Sequence, residues 1–389
     1  MGCGKQRCST NLMRQDRLLP AVWTLFVNGL VMAAVLSGCA AVPEQRTFSW
    51  PDLDRLQPIE DIREVPREIW QRRAIAYSGY RHGQSPRLDI YPSDEEVVED
   101  LRLLVDAGFG LIRVYNSMGH GEQVVRLIDE NALDLKVQVG AYISKSYAEN
   151  GEFNGRELAR LVELANDYPD VVMGVSIGNE ILVSWSFVAV PPAETIGYIR
   201  WVRERIRQPV TVNDNWEPYA AEPDDPLSKV WGQIDYASVH TYAYWDSGFK
   251  KWPISQPDDQ ALISAAFNYA QDNYAAVKTA FDRNNLEIPI VIGETGWQNL
   301  PSAREGSALI PDFAAQIAGP ERQALYYRTM QTWAYSDDWE TPGDGDIRPA
   351  SMFYFAAFDE PWKGADDNWG IWDANRHQKW NPEKNQAQE

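Results

Sequence analysis

Cysteine is nearly missing from this chain of 389 residues: Cys3, Cys8 and Cys39 are the three present, and all precede residue 40. No disulfide framework can therefore hold the rest together, and with only four histidines there is no Cys/His spacing suited to zinc. No metal and no cofactor are expected. Basic residues are outnumbered, 36 Lys and Arg against 56 Asp and Glu, for a net charge of −20. Such a folded body repels nucleic acid and anionic membranes, so neither is an expected partner of it. There is no low-complexity block and no Gly-rich phosphate cradle. The turn Ser78-Gly79-Tyr80-Arg81-His82-Gly83 lacks the pattern that a nucleotide-binding doubly wound sheet shows after its first strand. What is abundant is aromatic, with 16 Trp and 18 Tyr. Indole faces suit clefts where sugars stack, although core packing accounts for many of them equally well.

The N-terminus reads as an address. Lys5, Arg7, Arg14 and Arg17 precede an apolar run, Leu18 to Leu36, followed by Leu36-Ser37-Gly38-Cys39. A basic region, an apolar region and small residues before a processing point make a secretory signal. The order Leu-Ser-Gly-Cys resembles the bacterial lipobox, which implies cleavage before Cys39 and lipidation of its thiol. Ala40 rather than Asp follows, which implies an outer-membrane protein facing periplasm or cell surface. The competing reading is an uncleaved transmembrane anchor, against which Pro20, Asn28 and Gly29 count. Either Met1 or Met13 could open this leader. The expected organisation is a signal at 1–38, a flexible tether at 39–65 rich in polar residues and proline, and one folded domain at 66–389, acting as a monomer that touches the membrane only through its lipid.

From residue 66 on, apolar strands alternate with amphipathic helices. Strands are expected at 74–80, 111–116, 135–142, 171–180, 209–213, 234–240, 289–294 and 351–358. Helices are expected at 94–107, 123–131, 154–168, 192–206, 258–284 and 322–335, with one short closing helix in the tail after 373. Ser93 with Glu96 forms a capping box for the first of these helices. Eight strands alternating with helices in about 310 residues are the pattern of an α/β protein of one kind, a single (β/α)8 TIM barrel.

In that fold the C-terminal strand ends build the site. Strand four ends Ser176-Ile177-Gly178-Asn179-Glu180 and strand seven ends Ile292-Gly293-Glu294-Thr295-Gly296-Trp297. A buried apolar strand is costly ground for a charge, so two glutamates at equivalent heights point to paired carboxylates. Glycoside hydrolysis needs such a pair: one carboxyl to protonate the leaving oxygen, the other to act across the sugar ring. On strand two, Arg113 and Tyr115 share one face by alternation, Arg113 either to keep a neighbouring catalytic carboxylate charged or to serve as a structural ion-pair partner, and Tyr115 to line the cleft. Tyr242, after strand six, is a candidate donor to Glu294 or a packed aromatic. Trp297 and Trp362 are candidate stacking platforms. Trp216, Trp245 and Trp252 lie on loops that extend the cleft or pack within it.

The strand-four and strand-seven stretches resemble the two signatures of glycoside hydrolase family 17. Tyr77-Ser78-Gly79-Tyr80-Arg81 with Gly83-Gln84-Ser85-Pro86 is similar to that family's opening strand and loop, and Ile112-Arg113-Val114-Tyr115 to its second strand. Phe358-Asp359-Glu360-Pro361-Trp362-Lys363 is similar to its strand-eight end, where Glu360 and Lys363 would accompany the catalytic pair, and Trp369-Gly370-Ile371-Trp372 to the end of microbial members. The resemblance, over residues 72–375, implies retaining action on β-1,3-glucan, by hydrolysis or by glucan transfer. It implies Glu294 as nucleophile, Glu180 as acid/base, Asn179 on the sugar 2-hydroxyl, and Tyr77 among the substrate-binding residues. A non-catalytic glucan-binding lipoprotein on the same scaffold is the reading from another class.

Overall fold

The computed structural model describes residues 48–249, 251–300, 316–335 and 348–382. The leader, Cys39 and the tail beyond residue 382 lie outside the described residues. Among the described residues no helix is long and apolar enough to cross a membrane.

Eight strands close into a barrel in sequence order, each parallel to the next, and β8 pairs back to β1. They are β1 Ala74–Ala76, β2 Leu111–Val114, β3 Lys136–Ala141, β4 Val172–Asn179, β5 Val210–Asn215, β6 Ala237–His240, β7 Ile290–Thr295 and β8 Met352–Tyr354. Helices between them cover the outside. The helix Asp94–Asp106 opens on the expected capping box, Ser93 with Glu96, and buries Val97, Leu101 and Leu104. Pairing parallel strands through such crossovers buries both sheet faces, which is why the strands carry continuous Val, Ile and Leu. At the N-terminal end of the barrel, Trp70, Leu111, Tyr236, Val291 and Phe353 form a small plug. Nearer the other end the inward positions turn polar: Arg113, Ser176, Asn213, Ser238, His240 and Glu294 are all buried. Polar atoms there must find protein partners, and Arg113, Asn213, His240 and Glu294 bond one another and their neighbours.

The departures from the expected elements lie at ends and loops. β1 and β8 are three residues each. Beyond them Tyr77 and Ala357 keep single ladder bonds, to Arg113 O and Ala76 O, before the chain turns out to build the mouth. Two short helices, Trp216–Tyr219 and Pro226–Trp231, occupy the β5–β6 connection where none was expected. Their signals are visible in retrospect: Asn215 caps the first, and Asp225 followed by Pro226 starts the second. No closing helix forms in residues 373–382. There the chain makes a bridge between Trp372 and Gln378, and Arg376 folds back to donate to both oxygens of Asp100, at 2.7 and 2.6 Å. Asp100 is buried beneath Arg376, Arg81 and the Tyr77 hydroxyl, so this cluster latches the tail onto the first helix.

The segment expected as the end of a flexible tether is ordered on the barrel from residue 48. Phe48 meets Tyr198 edge to face, ring centroids 5.0 Å apart, and Trp50 lies against Gly197, where a Cβ would approach its ring to 2.4 Å. Arg63 donates to Arg203 O at 2.7 Å, while its N–H donates to Asp235. Composition suggested a linker because proline and charge dominate it; the anchoring comes from a few aromatic and arginine contacts that composition does not weigh.

Candidate active site

β4 and β7 deliver the two glutamates to the barrel mouth. β4 must bend to do so. Gly178 has φ +78° and a Cβ there would strike the Ile181 side chain at 2.7 Å, while Glu180 itself is left-handed at φ +52°. Only glycine occupies that region freely, so Glu180 is held out of the regular strand by its surroundings. On β7, a Cβ at Gly293 would meet Ser238 Oγ at 2.3 Å; this close approach of β6 and β7 sets His240 opposite Glu294 in the register.

Arg113 is the hub. Its Nη1 donates to Glu294 Oε1 at 2.7 Å and to Gly293 O at 2.9 Å, and its Nη2 to Asn179 Oδ1. With the Asn213 amide oxygen turned toward it, Nε and Nη2 also donate there, at 3.0 and 3.1 Å. By holding the Asn179 oxygen, Arg113 leaves that residue's Nδ2 donor for a ligand. Arg113 also lies under the Tyr115 ring, 4.7 Å from its centroid. The Tyr115 hydroxyl is buried and approaches Glu294 without an ordinary hydrogen bond.

His240 links the two carboxylates. Its Nδ1 is 3.1 Å from Glu180 Oε1, and its Nε2 is 3.1 Å from Arg113 Nη1 and 3.8 Å from Glu294 Oε1. The ring carries a proton on Nδ1, as the Nδ1–H tautomer or as the imidazolium, and donates it to Glu180 Oε1. Glu180, His240 and Glu294 offer three ligand atoms within 4.8 Å of one another. The positive guanidinium already bonded to Glu294 and facing His240 Nε2 opposes a cation at that point.

Burial pushes the Glu294 carboxyl up, but the His240 ring, the Arg113 guanidinium, the Tyr242 hydroxyl and Lys363 more than offset it and hold it below the ordinary glutamate value. The Tyr242 hydroxyl donates to Glu294 Oε2 at 2.6 Å. Burial and the Glu294 charge keep that phenol protonated well above its usual range, so it donates throughout the neutral region. Any activity that needs Glu294 ionised is lost when pH falls through its pKa. Tyr242→Phe removes one charge-assisted bond of about 1.5 kcal/mol. The acid limb of the kcat/KM profile is then expected to move upward by about one pH unit, as read from rates between pH 3 and 7; an unmoved limb would remove Tyr242 from this role.

At the β8 side, Glu360 is bonded to Lys363 Nζ and accepts from Trp362 Nε1 at 3.2 Å. Trp362 is half-buried, with Arg87 5.3 Å from its ring centroid. Lys363 Nζ also sits 4.6 Å from the centroid of Phe355.

The structure thus brings together Glu180, Glu294, Arg113, Tyr115, Asn179 and Tyr242, with Glu360, Trp362 and Lys363 on the rim. Two expected binding residues are placed elsewhere. Tyr77 is 1% exposed and donates to Asp100 at 3.1 Å, part of the latch under the tail. Trp297 is fully buried, donates to Ile317 O, and packs on Tyr244 and Tyr326. It cannot serve as a stacking platform, because the chain after Glu294 turns its ring inward. Trp252 is buried, whereas Trp216 and Trp245 are half-buried. His240, Asn213 and Asp214 were not singled out from the sequence. Their signal was polar residues ending apolar strands five and six, the same signal that marked the glutamates.

A closed eight-stranded parallel barrel with carboxylates at the C-terminal ends of β4 and β7 defines a (β/α)8 protein with a two-carboxylate site. Residues 74–372 match the BtgE/BtgC glycoside hydrolase domain, and the chain belongs to that family. Among its relatives, a glucan 1,3-beta-glucosidase of Arthroderma benhamiae is 26% identical over 228 residues, 54% of this chain and 61% of that protein. The glucan endo-1,3-beta-glucosidase btgC of Emericella nidulans is 25% identical over 329 residues, 76% of this chain and 43% of that one. The chain therefore spans less than two thirds of either relative. Of solved structures, an endo-laminarinase from Formosa Hel1_33_131 superposes with a TM-score of 0.68 at 25% identity, over 80% of this chain and 86% of that one. A glycoside hydrolase family 17 beta-1,3-glucanosyltransferase from Rhizomucor miehei gives 0.56 at 19% identity, over 80% and 96%, a likeness of fold.

Proposed function

We propose that this protein is a glycoside hydrolase of family 17 that cleaves β-1,3-linked glucan with retention of configuration. The observation that carries this reading is the separation of the carboxylates: one oxygen of Glu180 and one of Glu294 lie within 4.8 Å. Retaining enzymes hold the pair at about 5–5.5 Å, whereas inverting ones need about 6.5–9.5 Å to admit water. The names of the relatives, glucan 1,3-beta-glucosidase and glucan endo-1,3-beta-glucosidase, supply the substrate class.

The roles follow from the environments. Glu294, buried and held ionised, attacks the anomeric carbon while Glu180, a quarter exposed, gives its proton to the departing glycosidic oxygen. The His240 Nδ1–H occupies Glu180 Oε1, so the transferable proton belongs on Oε2. Glu180 then takes a proton from the acceptor that releases the sugar from Glu294. Asn179 Nδ2 is the donor left for a sugar hydroxyl, and Trp362 with Glu360 and Lys363 borders the cleft. The Leu-Ser-Gly-Cys signature further leads us to infer lipidation at Cys39 and a place in a bacterial cell envelope.

The test is the anomeric form of the first product. A β-1,3-gluco-oligosaccharide followed by proton NMR is expected to yield β-anomer before mutarotation. Initial α-anomer would overturn the double displacement. Products longer than the donor at high oligosaccharide concentration would show that a second sugar, rather than water, is the acceptor.

A further inference from the structure

β5 ends in a carboxylate that the reaction scheme leaves unused. Asp214 is fully buried, and its strongest charged neighbour is Glu180. Its oxygens are taken by backbone donors: Oδ2 accepts from Leu182 N–H at 2.8 Å and Oδ1 from Asn215 N–H at 2.8 Å, with Ile181 N–H close by to lower its pKa. Ile181 and Leu182 are the two residues that follow Glu180. The turn they form is the one that holds Glu180 left-handed, a conformation disfavoured for any residue with a Cβ. Glu180 N–H is tied to Asn213 O at 2.8 Å, and the loop closes through Val190 N–H to Ile181 O at 2.9 Å.

A carboxylate buried without a cation is expensive, and burial together with the Glu180 charge pushes Asp214 up to about 8. The convergence of an N–H group on each oxygen explains why a carboxyl group stands there: both oxygens must accept. An asparagine has one accepting oxygen and would aim its NH2 at one of the N–H groups. With His240 fixing Glu180 Oε1 from β6, Asp214 on β5 fixes the backbone just after Glu180, at Leu182.

We propose that Asp214 is the positioning residue of the acid/base: resting on the reading of Glu180 as proton donor, its buried carboxyl group clamps the Glu180–Leu182 turn and thereby sets where that proton is delivered. Asp214 touches no substrate in this scheme; it acts through Glu180 alone.

That role has a signature that a general loss of structure lacks. A dinitrophenolate leaving group departs without a proton, whereas a sugar hydroxyl needs one. Asp214→Asn is expected to lower kcat/KM on β-1,3-gluco-oligosaccharides by about tenfold or more, while the glycosylation rate on a dinitrophenyl β-glucan oligosaccharide stays within about threefold. Both rates are measured on one preparation of the full chain, so their ratio is independent of the folded fraction. An equal loss on the two substrates, up to complete inactivity, or no loss on either, would overturn the proposal. Glu180→Gln is the reference and must show the same selectivity more strongly. If Glu180→Gln affects both substrates equally, the assignment of Glu180 fails and the proposal falls with it; if only Asp214→Asn lacks selectivity, Glu180 stands and Asp214 does not.

Discussion

Glu294→Gln is expected to remove activity on β-1,3-glucan by about 10⁴-fold or more, as removal of a covalent nucleophile does elsewhere, with the fold intact. The amide is the size of the carboxylate but cannot form the glycosyl ester. The neighbourhood tolerates it. Arg113 requires an acceptor, which the amide oxygen provides. The amide nitrogen then faces Tyr242, whose hydroxyl can reverse and accept. Arg113 also keeps its bonds to Gly293 O and Asn179. Replacing a buried charge by an uncharged group of equal shape spares its desolvation, so the melting temperature is expected to change by only a few degrees. Turnover of a β-1,3-glucan checks the first part and thermal unfolding the second. Activity within tenfold of the unmodified protein would refute the assignment of the nucleophile.

Arg113→Ala is expected to damage both stability and catalysis. The side chain is 1% exposed and pairs with a carboxylate that is 7% exposed. Truncation leaves Glu294 buried without its cation, and it strips the donors from Asn179, Asn213 and Gly293 O at once. Breaking a buried pair from one side costs about 3–5 kcal/mol. The stranded carboxyl relieves part of that cost by taking up a proton, which disables it as a nucleophile near neutral pH. Activity is expected to fall by about 10²-fold or more, and the surviving activity to require a higher pH. Arg113→Lys is not expected to rescue it, because one ammonium cannot reach partners spread over Nε, Nη1 and Nη2. Urea unfolding and the pH–rate profile measure the two effects. A variant with unchanged stability and an unchanged acid limb would show that Arg113 is not the counter-ion of the site.

These two residues also mark how far the sequence could be read. Glu294 and Glu180 were legible because a charge at the end of an apolar run is costly unless used, and two such runs fell on strands four and seven. Arg113 was legible for the same reason, through its alternation with Tyr115. Tyr77 and Trp297 show where this reasoning stops. Each stands beside a recognisable motif, yet Tyr77 turns to Asp100 and Trp297 into the packing around Tyr244 and Tyr326. Strand order fixes which residues approach the mouth. Which way a ring turns beyond a strand's last ladder bond depends on neighbours from other parts of the chain. Residues 48–65 make the same point in reverse: their composition suits a tether, and a handful of long-range contacts order them.

By itself the sequence determined the eightfold alternation, hence the barrel, and the strand ends at which carboxylates collect, because hydrophobic period and the cost of buried charge are local properties of the chain. The tertiary structure alone decided that Arg113, His240 and Tyr242 converge on Glu294, that the carboxylates come within 4.8 Å, and that Asp214 lies beneath the turn of Glu180. Those relations join residues from strands two, four, five, six and seven. They follow from closure of the sheet, which sets distant strand ends side by side, and no window along the chain contains them.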